Sequence, residues 1–369
     1  MLAPRHDILR AAVVGAGYWG PNLARNFAVS DRWRLRAICD LDLERAARLA
    51  ARTGAEVETS LEALLARDDV DAVAVATPAR THHAVVMAAL RAGKHVVVEK
   101  PLADTRDRAV EMVALARQRG LVLMTDHTYC YTPVVAKIRE LLTTGALGDV
   151  LFVDSVRINL GLVQPDVDVV WDLAPHDLSI LDHVLPGGLR PATVTAHGAD
   201  PLGAGRACIA YLGMPLVGGG IAQIQVNWLS PTKIRRMVVA GSRRTLVWDD
   251  LNPQQRLSVY DRGVELPSRA VSDVTRRDAA ISYRLGDTWS PALPEHEALQ
   301  AMVTELADSI VDERAPLTDG ESGLRVLDVL EAASRSLRAG GDASAVGAVP
   351  AGRGRVRAMH AALPTAAIA

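Results

Sequence analysis

Short apolar runs alternate with amphipathic stretches through the first third of the chain. Ala11–Val14 is apolar and runs straight into glycines, Asn22–Val29 carries helical spacing, Trp33–Cys39 is a second run, and Leu43–Arg52 is helical. The rhythm continues with a strand over Asp71–Ala76, a helix over His82–Ala92, a strand over His95–Val98, a helix over Thr105–Arg119 and a strand over Leu121–Thr125. Short strands alternating with longer helices are βαβ units. They predict a parallel sheet covered by helices on both faces.

Past residue 127 the rhythm changes. A helix over Pro133–Thr143 leads to Gly145 and Gly148. Strand-like runs follow with few helices between them: Leu151–Ile158, Thr193–His197, Ala207–Tyr211, Ile221–Trp228, Arg236–Ala240, Thr245–Trp248 and Leu257–Tyr260. In the fourth of these, Ala222, Ile224, Val226 and Trp228 share one face, and Gln223, Gln225 and Asn227 share the other. Such alternation predicts an open, mostly antiparallel sheet with helices on one side, its polar face either solvated or a subunit interface. Glu295–Val311 and Gly323–Arg338 read as helices stopped by Gly340-Gly341. The predicted organisation is α/β, with one domain over residues 1–126, a second α/β domain over 127–340, and a loose tail over 341–369.

Composition narrows the function classes. Hydrophobic residues make up 49% and charged residues 23% of 369, an ordinary folded balance. Lys and Arg total 41 against 43 Asp and Glu, with no basic block to attract nucleic acid or an anionic membrane. No apolar run reaches the ~18–20 residues of a membrane span, and residues 1–10 lack a secretory signal. Cys39, Cys130 and Cys208 lie far apart, so neither a disulfide framework nor a metal site is expected. A reduced, cytoplasmic setting follows as an expectation.

Gly15-Ala16-Gly17-Tyr18-Trp19-Gly20 matches G-x-G-x-x-G between a strand and a helix, with Pro21 in a helix-opening position. The first glycine makes the tight turn, the second lets backbone approach a pyrophosphate, and the third lets helix pack on strand. The helix N-terminus adds amide donors and partial positive charge. This is the fingerprint of a Rossmann dinucleotide-binding domain, and it makes Gly15, Gly17, Tyr18, Trp19 and Gly20 candidate cofactor contacts. Asp40 ends the second strand, twenty residues after Gly20, where a carboxylate accepts the adenosine ribose hydroxyls and repels a 2′-phosphate. NAD is therefore preferred, and Arg45 and Arg48 nearby leave NADP open.

Thr77-Pro78 follows the third strand and Glu99-Lys100-Pro101 the fourth, both at the carboxyl ends where open α/β sheets bind ligands. Trp171-Asp172-Leu173-Ala174-Pro175-His176-Asp177 lies in the second domain. Together these resemble the Gfo/Idh/MocA oxidoreductases over about residues 8–338. The resemblance implies a Rossmann domain followed by an α/β domain whose sheet packs against another subunit, as a homodimer or homotetramer. It implies that Lys100 lies beside the nicotinamide and contacts the reacting hydroxyl, with Asp172 and His176 completing the catalytic set. Thr77, Pro78, His82 and Glu99 join the cofactor candidates.

The chemistry agrees. Oxidising a secondary alcohol requires a base for the hydroxyl proton while hydride leaves carbon, and imidazole titrates near the working pH. Asp172 and His176 are four apart, so on a helical turn they share a face and the carboxylate could fix the imidazole tautomer. Each residue also has a structural reading. Asp172 could cap a helix opened by Pro175, His176 could be a satisfied structural histidine, Glu99 could only hold the turn, and His82 and His83 could be surface or capping residues. Asp126, His127 and Tyr129 border the domain junction as pocket-wall candidates.

Gly17–Phe27, Asp172–Asp177, Asp250–Pro253 and Pro316–Gly320 are similar to the family branch of nucleotide-sugar 3-dehydrogenases. That similarity implies NAD-linked oxidation of a sugar ring hydroxyl, at C3 of a nucleotide sugar. The alternatives are a 3-ketoreductase of a dTDP-ketosugar, an inositol or free-sugar dehydrogenase, and an NAD-dependent glycosidase. A non-catalytic regulator is disfavoured by the intact Lys100, Asp172 and His176.

Overall fold

The computed structural model describes residues 8–164, 167–265 and 282–347, so the expected tail beyond 347 lies outside the described residues. Strands β1 (Leu9–Val14), β2 (Trp33–Cys39), β3 (Glu56–Glu58), β4 (Ala72–Val75), β5 (His95–Glu99) and β6 (Leu123–Asp126) form the first sheet, in the order β3-β2-β1-β4-β5-β6. All their pairings are parallel. The connecting helices are α1 (Gly20–Val29), α2 (Leu43–Thr53), α3 (Leu61–Leu65), α4 (Ala79–Arg91) and α5 (Arg106–Arg119). Ala11–Val14, Ala72–Val75 and Val96–Val98 are buried without alternation, because helices cover both faces of a parallel sheet. Asp42, Ser60 and Thr105 cap α2, α3 and α5 through their side chains. The short edge strand β3 carries Glu56 and Glu58 and no apolar run, so its pattern gives no strand signal.

The second sheet follows a 3-10 turn over Thr128–Tyr131 and helix α6 (Pro133–Thr143). Its strands are β7 (Val150–Leu160), β8 (Thr193–Ala199), β9 (Ile209–Pro215), β10 (Ile221–Asn227), β11 (Leu229–Gly241), β12 (Thr245–Asp249), β13 (Leu257–Glu265), β14 (Ser282–Trp289) and β15 (Ser344–Ala345). The order is β14-β13-β12-β11-β7-β10-β9-β8-β15, antiparallel throughout except for the parallel pair β10–β7. The expected alternation on β10 is present. Ala222, Ile224 and Val226 face the core opposite Val153, Ser155 and Arg157, while Gln223 and Gln225 lie outward opposite Asp154 and Val156.

Three further helices pack around this framework: α7 (Val169–Val184), α8 (Ala298–Val311) and α9 (Gly320–Arg338). Helix α7 corrects the expectation of a helix opened by Pro175. It starts six residues earlier, where the Asp168 carboxylate accepts from the amides of Val170 and Trp171 at 2.9 and 3.0 Å, and Pro175 sits inside it. Asp172 is therefore not the cap. The residues after Gly341 are not wholly loose either, since Ser344–Ala345 pairs with β8.

Helix α8 returns to the first sheet and packs on α1, with Trp33 Nε1 donating to the Val303 carbonyl at 2.6 Å. Helix α9 lies between α5, β6, α7 and β8 and ties the two sheets together. The Thr125 amide donates to the Thr318 carbonyl at 2.8 Å, and Thr318 Oγ1 returns a bond to the Thr125 carbonyl at 2.7 Å, so the edge of β6 is covered. No helix among the described residues is long and apolar enough to cross a membrane. The carboxyl end of β5 meets the first turn of α7, where Lys100 reaches Asp172.

Candidate active site

The glycine loop has the shape that a pyrophosphate needs. Gly15 has φ +100°, and a Cβ there would stand 2.6 Å from the Ala76 carbonyl oxygen. A Cβ on Gly20 would stand 2.0 Å from the Gly15 carbonyl oxygen, so strand, loop and helix are packed backbone to backbone. Gly17 differs, since the nearest atom to its Cβ position would be on Arg45, 3.8 Å away. Two glycines close the turn and the middle one leaves its surface open, which fits a dinucleotide held at the N-terminus of α1.

Asp40 is engaged with the loop. Its Oδ2 accepts from the Ala16 amide at 2.6 Å and its Oδ1 from the Asp42 amide at 2.8 Å. One lone pair on each oxygen stays available for ribose hydroxyls. Arg45 is bonded to Asp42 at 3.1 Å and Arg48 lies 3.6 Å from Glu44, so both cations already face carboxylates. Tyr18 stands 93% exposed at the start of α1, whereas Trp19 turns inward and its Nε1 donates to Asp126 Oδ2 at 2.8 Å.

Thr77 and Pro78 link β4 to α4. The surface reading of His82 is corrected here: it is 1% exposed, with Nδ1 2.9 Å from the Pro101 carbonyl and Nε2 2.8 Å from the Thr77 carbonyl. Helix α4 begins three residues before it, so His82 falls in the first turn and points between the two loops. Burial lowers its proton affinity, and the two carbonyls oppose that shift. It pins the loop after β4 to the loop after β5.

Glu99 and Asp126 are register partners at the ends of β5 and β6. Burial, then the neighbouring Asp126, pushes the Glu99 carboxyl well above the usual carboxylate range. Its Oε2 accepts from the Lys100 amide at 3.0 Å, which orients the residue that follows.

Lys100 Nζ donates to the Asp172 carbonyl at 2.7 Å and faces Asp172 Oδ1 at 3.3 Å. Pro175 has no N–H for the Trp171 carbonyl, which opens the first turn of α7 beside the carbonyl that Lys100 takes. Asp172 Oδ2 accepts from Trp228 Nε1 at 2.9 Å. The carboxylate therefore serves an ammonium and an indole, and it does not hold the His176 imidazole. His176 Nδ1 is buried without a partner among the described residues. Its ring meets the Tyr129 ring edge-on, with 5.2 Å between centroids. Burial, then Lys100 and Arg157, puts its proton affinity well below the ordinary imidazole range, so it is neutral at pH 7.

Two arginines of this cleft lie outside the sequence candidates. Arg157 is buried against Asp177, Nε to Oδ2 at 2.7 Å and Nη2 to Oδ1 at 3.1 Å, with its guanidinium 4.5 Å from the Tyr129 ring centre. Arg235 stands 6.0 Å from the same centre. The only sequence signal for either is a basic residue on the inward parity of a strand.

A six-stranded parallel sheet with an open glycine cradle, facing a second domain across its carboxyl edge, defines a dinucleotide-dependent oxidoreductase. The chain belongs to the Gfo/Idh/MocA oxidoreductases, whose family of NAD-binding Rossmann folds matches residues 9–127. It is 30% identical over 323 residues to the UDP-N-acetylglucosamine 3-dehydrogenase of Acidithiobacillus ferrooxidans, covering 86% of this chain and 94% of that one. The solved structure of that enzyme matches with a TM-score of 0.77 at 28% identity, over 90% and 98% of the two chains. The structure of GenD2 from gentamicin A biosynthesis, in complex with NAD, matches with a TM-score of 0.75 at 26% identity, over 94% and 100%. A dTDP-3,4-didehydro-2,6-dideoxy-alpha-D-glucose 3-reductase of Streptomyces antibioticus is 45% identical over 113 residues, 31% of this chain and 34% of that one.

Proposed function

We propose that the protein oxidises a ring hydroxyl of a nucleotide sugar, at C3, with NAD as hydride acceptor. The convergence of Lys100, Asp172 and His176 beside the carboxyl ends of β4 and β5 carries this reading. The likeness to UDP-N-acetylglucosamine 3-dehydrogenase over nearly the whole chain supports the substrate class. Gly15, Gly17, Tyr18, Trp19, Gly20 and Asp40 would hold the adenosine and pyrophosphate part. Thr77, Pro78, His82 and Glu99 would shape the nicotinamide end. The carboxylates on Arg45 and Arg48 support NAD over NADP. When bound, the nicotinamide ring takes up the hydride from the carbon that is oxidised.

The residues of this chain handle the proton. Neutral His176 accepts it from the hydroxyl as the C–O bond becomes a carbonyl. Lys100 donates a hydrogen bond to the oxygen on which charge builds. Asp172 keeps the ammonium in place and is itself held by Trp228. Reduction of a 3-ketosugar uses the same groups in reverse.

The division near residues 126 and 127 remains our assignment of domains, with a cytoplasmic setting. We also infer that the outer face of the second sheet pairs with a second copy. Phe152, Tyr211 and Ile221 are exposed there beside Gln223.

The test is absorbance at 340 nm with NAD and a panel of UDP- and dTDP-sugars, inositols and free sugars. NADH is expected from one nucleotide sugar, with kcat reduced by about 10²–10⁴ in Lys100→Ala and His176→Ala. NADH from inositol or a free sugar alone would overturn the nucleotide-sugar reading.

A further inference from the structure

Arg157 on β7 and Arg235 on β11 are register partners in an antiparallel pair, so both side chains face α7. Like charges directly opposite one another destabilise a sheet. The two arginines resolve that conflict unequally. Arg157 is locked onto Asp177, and Ser155 Oγ completes the carboxylate at 2.9 Å. Among the described residues Arg235 has only Asp250, an ion pair at 3.7 Å that is longer than a hydrogen bond, and its side chain is 34% exposed.

Arg235 also stands beside an aromatic ring that it shares with Arg157. Its guanidinium lies over the Tyr129 ring at 6.0 Å, and that ring packs edge-to-face with His176 and Trp248, whose ring centres are 5.2 and 6.3 Å away. A guanidinium with no bidentate partner among the described residues therefore stands one ring away from the imidazole. Its planar fork suits two oxygens of one anion. Besides burial, His176 feels Lys100, Arg157 and Arg235 as charges that lower its proton affinity.

We propose that Arg235 is a specificity-determining residue that receives an anionic oxygen group of the sugar substrate, phosphate or carboxylate, in the cleft over Tyr129. The assignment rests on the reading of this cleft as the sugar site. It makes a charged substituent the feature by which the cleft separates its substrate from neutral sugars.

The experiment is calorimetric titration of the enzyme saturated with NAD, using UDP, glucuronate and neutral glucose, on wild type, Arg235→Gln and Arg235→Lys. UDP represents the phosphate source and glucuronate the carboxylate source. At least one anion is expected to bind wild type more tightly than glucose and to lose about tenfold or more in affinity in Arg235→Gln. Arg235→Lys should fall between, since it keeps charge and loses the fork. Loosely paired and partly exposed, Arg235 should leave Tm nearly unchanged on substitution, which separates lost binding from lost fold. Equal binding of both anions by wild type and Arg235→Gln would overturn the proposal, as would a wild type that binds neither anion better than glucose. Arg235-dependent binding without turnover of any nucleotide sugar would keep this assignment and sink the oxidation reading. Turnover of a nucleotide sugar at unchanged KM in Arg235→Gln would do the reverse.

Discussion

His127 is buried at the junction of the two sheets with both ring nitrogens unpartnered among the described residues. Burial, with Lys100 adding to it against Asp182, lowers its pKa to about 4. The folded protein therefore resists a proton that the unfolded chain accepts near pH 6.5. Stability from this group is complete above pH 6.5 and is lost progressively as pH falls from there to about 4. His127→Phe keeps an aromatic ring at the position and removes the titration. Thermal unfolding across pH 4.5–8 should show the variant gaining about 2–4 °C over wild type between the alkaline and acidic ends. An identical pH dependence of Tm in both proteins would contradict this account of His127.

The glycine cradle acts as one element, and its three positions have different roles. Gly20→Ala forces a Cβ into the Gly15 carbonyl, so it should lower Tm by several degrees or prevent folding. Gly17→Ala meets nothing closer than Arg45 at 3.8 Å, so Tm should stay within about 2 °C of wild type. Its methyl group would stand where a pyrophosphate approaches, and NAD affinity should fall by about tenfold or more. Intrinsic fluorescence titration with NAD, beside differential scanning calorimetry, separates the two outcomes. Unweakened NAD binding by Gly17→Ala would mean that the cofactor crosses the sheet elsewhere.

At the scale of the molecule, the second sheet has a dry face and an open one. α7 and α9 cover the inner side, whereas Phe152, Tyr211 and Ile221 lie exposed beyond it. Single exposed apolar residues are common, but Phe152 and Ile221 side by side, with Tyr211 on the next strand of the same face, support the proposed pairing with a second copy. Light scattering should give a dimer or tetramer for wild type. Phe152→Glu with Ile221→Glu should shift it to monomer while NAD still binds, because the glycine cradle lies in the other sheet. A wild type that stays monomeric at micromolar concentration would refute the pairing.

Periodicity and spacing were enough for five of the six strands of the first sheet and for its cradle, β3 being the strand they did not show. Those features are local: a buried run is legible wherever neighbours cover both faces, and a glycine turn carries its own conformational signature. The alternation on β10 likewise reported one buried face. Where polar atoms find partners was decided by tertiary structure. Asp172 and His176 share a helix at the spacing expected, yet chain segments distant in sequence bring Lys100 and Trp228 to the carboxylate first. The extent of α7 was hidden because Pro175 reads as a helix start and Asp168 as one more loop acid. Arg157 and Arg235 look like ordinary surface cations until the register of β7 and β11 turns both inward. Local pattern thus determined which elements form, and long-range packing decided which side chains meet, because a hydrogen bond or ion pair depends on distances that only the folded chain sets.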